Sequence, residues 1–461
     1  MALQSVVVVD IFQLLTIFKE EIQITKVQQL IHKSKMYMLS IFNVSKTINE
    51  VTWVYNTLTA SFIKMETELW NSLPDNSDKE LIETLVKQGI LVNDNNNEIQ
   101  KYKYFYYNKI FDKTFLSLSV APTMKCNFRC KYCFEGDHKT FSKMTKEVEE
   151  ALIHYIIKKS KQKDIHINWF GGEPLLAFDT ILSICDKLNS SNVHFTSSMV
   201  TNGSLFTPKI INNLYKLHLR NIQITLDGTA ETHNKRRFYK NGTPSFYDIE
   251  NNIKMLLHNT NIKLTIQVGV DIENHDAYEN LYEYLKKRYN TYLEKNRLLI
   301  GCNNIQNRTD FEGCSSCFTE EQIFDRKKKY LQENKYPALI QQLPGLSLPC
   351  MYRSSNNMAI DSKGYIYRCL EHLGQPQHSI GNIVEYKVSL GKMAKMTFEN
   401  DPFDDAECRQ CKVLPICGGG CPIDRKKGEN KGQKSYCSIY KKYIEEMLPL
   451  IYENQNRNSK L

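Results

Sequence analysis

Three closely spaced cysteines are the residues of this chain best suited to chemistry. Cys126, Cys130 and Cys133 form a Cys-x3-Cys-x2-Cys segment just after an apolar alternating run at 116–120. Three thiolates on one tight loop can hold three irons of a four-iron cluster and leave the fourth iron open. Because electron-transfer clusters usually have four cysteine ligands, an open iron suggests that another molecule binds there. The alternative is a zinc knuckle with a histidine such as His138 as fourth ligand.

Two further motifs with ligand-binding character follow later predicted strands. Gly171-Gly172-Glu173-Pro174 allows close approach of the backbone to a ligand, and its carbonyls and carboxylate suit an ammonium group; the alternative is a plain turn. Thr225-Leu226-Asp227-Gly228 ends another strand, and Arg237 follows ten residues after Asp227. A guanidinium fork can bind both oxygens of a carboxylate. Arg236 beside it competes for that role, and a surface salt bridge is the other interpretation of Arg237.

The C-terminal part of the chain carries a second array of cysteines. Its members are Cys350, Cys369, Cys408, Cys411, Cys417, Cys421 and Cys437. A zinc ribbon explains the four central cysteines by themselves, but neither the pair before them nor the last one. Cys185, in contrast, lies on an apolar helix face and is predicted to be core.

Together the two arrays resemble known families. The first segment, including Tyr132 before its third cysteine, resembles the signature of the radical S-adenosylmethionine (radical SAM) enzymes, and the second resembles the seven-cysteine SPASM domain. The resemblance implies that SAM binds the open iron and is cleaved to a 5′-deoxyadenosyl radical, chemistry that side chains do not supply alone. It also implies two auxiliary four-iron clusters, and therefore three clusters in all.

The resemblance implies roles for individual residues. SAM contacts are implied for Tyr132, Gly171, Gly172, Glu173, Thr225 and Arg237. The first auxiliary cluster is implied to bind Cys350, Cys369 and Cys421, and the second to bind Cys408, Cys411, Cys417 and Cys437. The fourth ligand of the first auxiliary cluster stays open between Cys302, Cys314, Cys317 and an unligated iron. No catalytic acid or base is assigned.

The scaffold for these residues is predicted to be an α/β partial barrel. Strands are expected at 116–120, 165–170, 193–200, 222–226, 264–270 and 297–301. An amphipathic helix between the first two has Val148, Ala151, Leu152, Tyr155 and Ile156 on one face. This alternation favours a parallel sheet with right-handed crossovers. Six units make a partial (β/α)6, TIM-like barrel of the radical SAM kind, with its chemistry at the carboxyl ends of the strands.

Five segments are expected along the chain. They are an uncertain N-terminal extension (1–36), a small winged-helix-like domain (37–113), the radical SAM barrel (114–340), the SPASM domain (341–445) and a tail (446–461). The second segment is predicted to contain a strand–turn–strand unit at 53–62, helices at 66–73 and 78–88, and a final strand pair from 90. By resemblance it is a leader-peptide recognition domain; the alternative is a plain cap on the barrel.

Composition limits the classes of protein that remain. The 461 residues are 41% hydrophobic and 24% charged, as in soluble globular proteins. No apolar run is long enough to span a membrane, and no signal peptide is evident. The fourteen cysteines therefore indicate metal or redox chemistry in a reducing cytoplasm. The net charge of +9 lies in short runs without a recognition motif, so we expect neither nucleic acid nor membrane as a partner.

The expected function is peptide maturation. By resemblance the chain abstracts a hydrogen from a ribosomally made precursor peptide with a leader and forms a thioether or carbon–carbon crosslink, with flavodoxin or ferredoxin as reductant. The alternative is an anaerobic sulfatase-maturing enzyme, which oxidises cysteine or serine to formylglycine. That group has little sequence before its barrel and an aspartate after its second SPASM cysteine, whereas here Glu371 is one position out. A second alternative is a non-catalytic, cluster-holding peptide-binding partner, against which the intact first cysteine array counts.

Overall fold

A small antiparallel sheet comes first along the described chain. The computed structural model describes residues 37–75, 78–93, 95–133, 142–305, 316–333, 336, 345–431 and 437–458. The extension 1–36, His138 and Cys314 lie outside these residues. The N-terminal elements are β1 (Met38–Leu39), β2 (Asn43–Ile48), β3 (Val51–Asn56), β4 (Phe62–Glu66), α1 (Thr67–Asn71), α2 (Lys79–Lys87), β5 (Leu91–Val92) and α3 (Asn95–Ile110). Strands β2, β3 and β4 form one sheet, and β1 pairs with β5.

The second half of this N-terminal module differs from its prediction. Helix α2 begins after Asp78, whose carboxylate accepts the Leu81 N–H, close to where it was expected. The predicted strand pair from 90 is wrong. Strand β5 instead pairs in antiparallel fashion with β1, which precedes it in the chain, and is followed by helix α3. Tyr102, Tyr106 and Ile110 recur at helical spacing and are all buried. Burial against the C-terminal region therefore makes this segment helical despite its polar start.

The central barrel follows its prediction closely. Its elements are β6 (Phe115–Val120), α4 (Lys146–Ser160), β7 (Asp164–Trp169), α5 (Phe178–Ser190), β8 (Phe195–Thr201), α6 (Pro208–Ile211), β9 (Leu219–Thr225), α7 (Ala230–Arg236), α8 (Phe246–Asn259), β10 (Lys263–Val270), α9 (Ala277–Glu294), β11 (Leu298–Asn304) and α10 (Glu320–Glu333). The six strands are parallel and adjacent in chain order. The α/β partial barrel is therefore confirmed.

Burial alternates along the barrel strands. In β6, Leu116, Leu118 and Val120 are buried, whereas Ser117 and Ser119 are half-buried. Since successive side chains of a strand point to opposite faces, the apolar set packs under the helices and the polar set lines the concave face. That face and the loops above it can receive polar ligands.

The C-terminal region continues the barrel sheet. Strand β12 (Asn357–Ile360) pairs in parallel with β6, and β13 (Tyr365–Tyr367), β14 (Gly381–Asn382) and β15 (Lys387–Val388) extend the sheet in antiparallel fashion to ten strands. The helices that follow are α11 (Leu390–Phe398), α12 (Ala406–Arg409), α13 (Leu414–Cys417), α14 (Pro422–Lys431) and α15 (Tyr440–Asn458). The barrel and the cysteine-rich region therefore share one sheet.

Helix α15 closes the molecule against the N-terminal module. Met447, Leu448 and Ile451 are buried in one cluster with Trp53 and Tyr55 of β3. The predicted boundary at 445 therefore falls inside this helix, and Asn454 beyond that boundary is still buried. None of the helices in the described part of the chain is apolar and long enough to cross a bilayer.

Candidate active site

The first cysteine array forms the loop at the carboxyl end of β6. The Phe128 N–H donates to the Cys126 sulfur at 3.4 Å, which curls the loop around that thiol. Burial raises the pKa of Cys130 to about 11; the Arg237 guanidinium opposes this rise, and the Cys133 and Cys126 sulfurs add to it. The three sulfurs and Arg237 are therefore within electrostatic reach of one another.

The three thiols of this loop can be compared with two kinds of metal site. Within the described ranges, no three histidine, cysteine or acidic side chains lie close enough together to hold one ion. Thiolates that share a zinc ion all lie about 2.3 Å from it, whereas each cysteine of a cluster binds a different iron. His138 is outside the described residues. The three thiols of the loop remain suited to three separate irons.

The glycine pair after β7 holds its turn against the cysteine loop. A Cβ atom on Gly172 would lie 2.2 Å from the Lys125 carbonyl oxygen. The Gly172 N–H donates to the Thr123 carbonyl at 3.2 Å, and the Glu173 N–H donates to the Lys125 carbonyl at 2.8 Å. Only glycine permits this approach, so the two loops form one rigid rim of the barrel mouth.

The Glu173 carboxylate faces inward from that rim. It is fully buried and accepts the Thr201 hydroxyl at 2.7 Å, the Asn202 N–H at 2.7 Å and the Leu175 N–H at 3.0 Å. Burial raises its pKa, and these donors oppose the rise. Glu173 therefore joins the ends of β7 and β8, and the structure does not present its carboxylate at the mouth.

Two adjacent arginines have different surroundings. Arg236 is buried in ion pairs, with its Nη2 atom 2.6 Å from Asp271 and its Nε atom 3.5 Å from Asp227. Arg237 donates through Nη1 to the Tyr132 hydroxyl at 3.0 Å, and its buried Nε atom has no hydrogen-bond partner among the described residues. Arg237 is therefore the arginine with donors left for a carboxylate ligand, a distinction that adjacent arginines in a sequence do not reveal.

Two other residues at the mouth complete this arrangement. The Tyr132 hydroxyl donates to the fully buried Asp227, so the loop aromatic is fixed across the barrel to the end of β9. Thr225 is half-buried between Ile224 and Leu226, which are both buried, and thus lies on the concave face. The structure brings Tyr132, Thr225 and Arg237 to the same end of the barrel as the cysteine loop.

Sequence analysis missed the polar network lower in the barrel. His166 contacts the Thr196 hydroxyl at 2.9 Å and the Ser198 hydroxyl at 3.0 Å, and Ser198 donates to Asn168 at 2.9 Å. Burial lowers the pKa of His166. Polar residues at every second strand position were the available signal, because that period places them all on one face.

The C-terminal cysteines separate into two groups. The first auxiliary site, as we name it, comprises Cys350, Cys369 and Cys421. Burial raises the pKa of Cys369 to about 12, and the Cys350 and Cys421 sulfurs contribute to this rise, so both lie within electrostatic reach of Cys369. The second auxiliary site comprises Cys408, Cys411, Cys417 and Cys437, which line one cavity. The shared cavity brings the four cysteines of the second set together, and the binding of clusters by either set stays a prediction.

The second auxiliary site also contains cations. Arg425 donates to the Cys408 sulfur at 3.4 Å and forms an ion pair with Asp405 at 2.8 Å. The Lys441 Nζ atom lies 3.9 Å from the Cys437 sulfur. Four thiols beside two cations fit an anionic, fully ligated iron–sulfur cluster.

Two of the candidate fourth ligands of the first auxiliary site, Cys302 and Cys317, lie within the described residues and are engaged elsewhere. Cys302 lies on β11 among residues of α9 and α10: Arg326 and Glu279 influence its pKa, which burial raises to about 12. Cys317 is disulfide-bonded, and Cys314 lies outside the described residues. The described cysteines therefore supply three thiols to this site.

Helix α3 of the N-terminal module packs against the loop that carries cysteines of the second auxiliary site. Tyr102 donates to the Leu414 carbonyl at 3.3 Å, and Tyr106 donates to the Gly418 carbonyl at 3.4 Å. Both tyrosines are almost fully buried, and Cys408 packs against their cluster. The loop that carries the cluster cysteines is thus held by a helix more than 300 residues earlier in the chain.

Comparison with known proteins agrees with this geometry. Residues 120–285 match the Radical SAM superfamily. The chain is 28% identical over 236 residues to the radical SAM cyclopropyl synthase TigE of Paramaledivibacter caminithermalis, covering 46% of this chain and about half, 49%, of that protein. It is 24% identical over 362 residues to the cysteine-type anaerobic sulfatase-maturating enzyme of Clostridium novyi, covering 72% of this chain and 94% of that one.

Solved structures show the same fold. Native anSMEcpe with bound AdoMet has a TM-score of 0.55 at 20% identity and covers 74% of this chain and 100% of that one. Streptococcus suis SuiB bound to S-adenosylmethionine has a TM-score of 0.53 at 16% identity and covers 87% of this chain and 100% of that one. SuiB is also known bound to its precursor peptide SuiA, with a TM-score of 0.52.

These findings define the class of protein: the chain is a radical SAM enzyme. Within that class its sequence is similar to those of the anaerobic sulfatase-maturating enzymes and TigE, its fold is similar to that of SuiB, and it has a cysteine-rich C-terminal region. All of these relatives are distant.

Proposed function

We propose that this enzyme is a maturase that crosslinks a ribosomally made peptide. SAM and an iron–sulfur cluster held at the barrel mouth by Cys126, Cys130 and Cys133 would supply a 5′-deoxyadenosyl radical that takes a hydrogen atom from an unactivated carbon of the peptide. The resulting carbon radical would bond to a cysteine sulfur or to a second carbon of the peptide, which loses a proton, and one electron would be released. We further propose that the chain binds three four-iron clusters, one at the mouth and one at each auxiliary site, and that an auxiliary cluster accepts the second electron.

The extent of the structural likeness is the observation that carries this proposal. SuiB matches 87% of the chain, whereas anSMEcpe matches 74%. The chain combines a barrel and cysteine-rich region with an N-terminal three-stranded sheet and helices α1–α3. Such a module ahead of the barrel supports recognition of a leader, and the precursor-bound state of SuiB shows a relative of this fold holding a precursor peptide.

The residues at the mouth have proposed tasks in this reaction. Cys126, Cys130 and Cys133 hold three irons. Arg237 binds the SAM carboxylate through the donors that Tyr132 leaves open, because a guanidinium fork matches a carboxylate. The Gly171-Gly172 turn brings backbone groups close to the SAM amino group, and Thr225 lies on the concave face within the same mouth.

Maturation of a sulfatase is the second candidate. The Clostridium novyi relative is covered over 94% of its length, so the barrel and cysteine-rich region of the chain suffice for that comparison. Glu371, in the turn after Cys369, is the carboxylate available in place of that group's aspartate. This candidate leaves the N-terminal module without a task.

Product analysis separates the two candidates. Reconstituted enzyme, SAM and dithionite are incubated with the small peptides encoded beside its gene and, separately, with a cysteine-containing sulfatase peptide. A crosslink removes hydrogen and keeps every sulfur, whereas formylglycine formation removes the cysteine sulfur. Mass spectrometry that finds only the second product overturns the maturase proposal. The Cys126/Cys130/Cys133 triple alanine variant is the control, and failure of the wild type to yield 5′-deoxyadenosine would favour the non-catalytic alternative.

A further inference from the structure

Two fully buried arginines adjoin the first auxiliary site. Arg353 follows Cys350 by three residues, and Arg368 directly precedes Cys369. Their exposed fractions are 1% and 2%. The Arg353 N–H donates to the Cys350 carbonyl at 2.9 Å, which closes a tight turn. Both arginines are therefore adjacent in the chain to cysteines of the site, and the backbone of Arg353 is also hydrogen-bonded to that of Cys350.

The acceptors of these two arginines are neutral. Arg353 donates to the carbonyls of Thr397, Glu399 and Asn400 at 3.0, 3.1 and 2.7 Å. Arg368 donates to the Met393 carbonyl, the Thr397 hydroxyl and the Ser354 carbonyl. Its buried Nε atom has no partner. Across the described part of the chain, no carboxylate pairs with either guanidinium group.

Other buried arginines of this protein do have carboxylate partners. Arg236 pairs with Asp271 and Asp227, and Arg425 pairs with Asp405. An unpaired buried charge is costly, by several kcal/mol. The carbonyl end of helix α11 supplies only about half a negative charge, which does not balance two guanidinium groups. The surroundings of Arg353 and Arg368 are thus short of negative charge.

We propose that Arg353 and Arg368 are the counter-charges of an anionic cluster at the first auxiliary site and raise its reduction potential. A four-iron cluster with thiolate ligands is negatively charged, and its potential depends on nearby charge and burial. Since reduction adds a further negative charge, buried cations stabilise the reduced form. The proposal rests on cluster ligation by Cys350, Cys369 and Cys421, as proposed above, and is independent of which peptide is modified.

A redox titration tests this role. The Cys126/Cys130/Cys133 triple alanine background removes the barrel cluster and leaves the two auxiliary ones. In it, Arg353→Gln and Arg368→Gln should each lower the midpoint potential of one auxiliary cluster in EPR-monitored titrations. Arg368→Lys should keep the potential near that of the parent, because it retains the charge. Unchanged midpoint potentials in both glutamine variants would overturn the proposal. The two arginines would then serve only to hold helix α11 in place.

Arg297→Gln is the matched control. Arg297 also donates only to backbone carbonyls, those of Leu257, Thr260 and Ile262, but it lies at the start of β11 in the barrel. Its loss should reduce stability and leave both potentials unchanged. A shift as large as that of Arg368→Gln would show that the effect does not come from charge near the cluster, and would overturn the proposal.

Two further measurements keep the outcomes distinct. If the triple alanine parent holds no iron at its C-terminal cysteines, the proposal that these cysteines bind clusters fails. If the parent holds about eight irons and the glutamine variants have the same midpoint potentials as the parent, only the counter-charge proposal fails. If the glutamine variants do not fold, a ¹⁵N-arginine-labelled protein that keeps Arg353 and Arg368 is used instead. This protein carries Arg425→Lys, because Arg425 contacts the Cys408 sulfur and would give a coupling of its own. Pulsed EPR of the reduced auxiliary clusters should then show a ¹⁵N coupling, and its absence would overturn the proposal.

Discussion

The buried arginines of the barrel mouth and of the first auxiliary site differ in the charge of their hydrogen-bond acceptors. At the mouth, Asp227 and Asp271 neutralise Arg236, so the protein balances that charge by itself. At the first auxiliary site, Arg353 and Arg368 meet only neutral acceptors among the described residues. The mouth keeps Arg237, beside the neutralised Arg236, as the guanidinium with donors left for a carboxylate, which suits a ligand that enters and leaves. A site that lacks negative charge suits a resident anionic cluster.

The two regions also differ in how they are assembled. The mouth is built from the ends of consecutive strands, each close in sequence to the next. The auxiliary sites need the C-terminal loops and helix α3, whose Tyr102 and Tyr106 bind the backbone of those loops. The mouth should therefore function when the auxiliary sites are damaged, and the predictions below test that independence.

The largest effect is expected from loss of the first cysteine array. The triple variant Cys126→Ala, Cys130→Ala, Cys133→Ala should abolish dithionite-dependent SAM cleavage, because no cluster remains to reduce SAM. Iron should fall from about twelve to about eight per chain, as measured by anaerobic iron and sulfide analysis. Loss of iron from all sites would contradict the independence of the two regions.

Removal of Tyr102 and Tyr106 should damage the auxiliary sites selectively. The double variant Tyr102→Ala, Tyr106→Ala leaves a cavity beside the second auxiliary site. Each large aromatic side chain removed from a core lowers the free energy of unfolding by about 3–5 kcal/mol. We expect loss of auxiliary iron with retention of uncoupled SAM cleavage. Deletion of 1–110 also removes helix α3 and should have the same effect. Tyr104→Ala on the same helix is the control, since Tyr104 is 73% exposed. Full iron content in the double variant would contradict a supporting role of Tyr102 and Tyr106 at the auxiliary sites.

Loss of the unpaired guanidinium should weaken SAM binding. Arg237→Ala removes the donors left for a carboxylate, so the SAM dissociation constant should rise roughly 10- to 100-fold, the effect of losing a charged hydrogen bond. Arg237→Lys should recover only part of the affinity because lysine lacks the planar fork. Equilibrium binding to reconstituted enzyme measures this. Lys235→Ala, at an exposed position, is the control. Equal SAM affinities in Arg237→Ala, Arg237→Lys and Lys235→Ala would show that Arg237 does not bind SAM and has only a structural role.

The smallest effect is expected at the rim of the mouth. Gly172→Ala places a methyl group against the Lys125 carbonyl and should lower stability by about 1–3 kcal/mol. Cluster loading at the mouth should fall while the auxiliary sites stay loaded. Gly391→Ala, where nothing lies within 4 Å of the added atom, is the matched control. Thermal unfolding and iron analysis together would contradict the close contact if both variants behaved alike.

The barrel was predictable because local patterns determine it. The six strands were placed within a few residues, since alternating burial along a strand is written in its side chains. The loop of Cys126, Cys130 and Cys133 follows β6 directly, so its place at the carboxyl end of the barrel followed from chain order. The grouping of the later cysteines came from family resemblance, and their ligation remains a prediction.

Tertiary structure decided what sequence left open. It separated Arg237 from Arg236, because only the fold brings Asp271 to one of them and Tyr132 to the other. It turned Glu173 inward and made 95–110 a helix that holds loops more than 300 residues away. By itself the sequence determined the strands, the cysteine arrays and the chemistry they suit, since these depend on residue type and spacing. Which charges are neutralised depends on contacts between distant segments, and these exist only once the chain has folded.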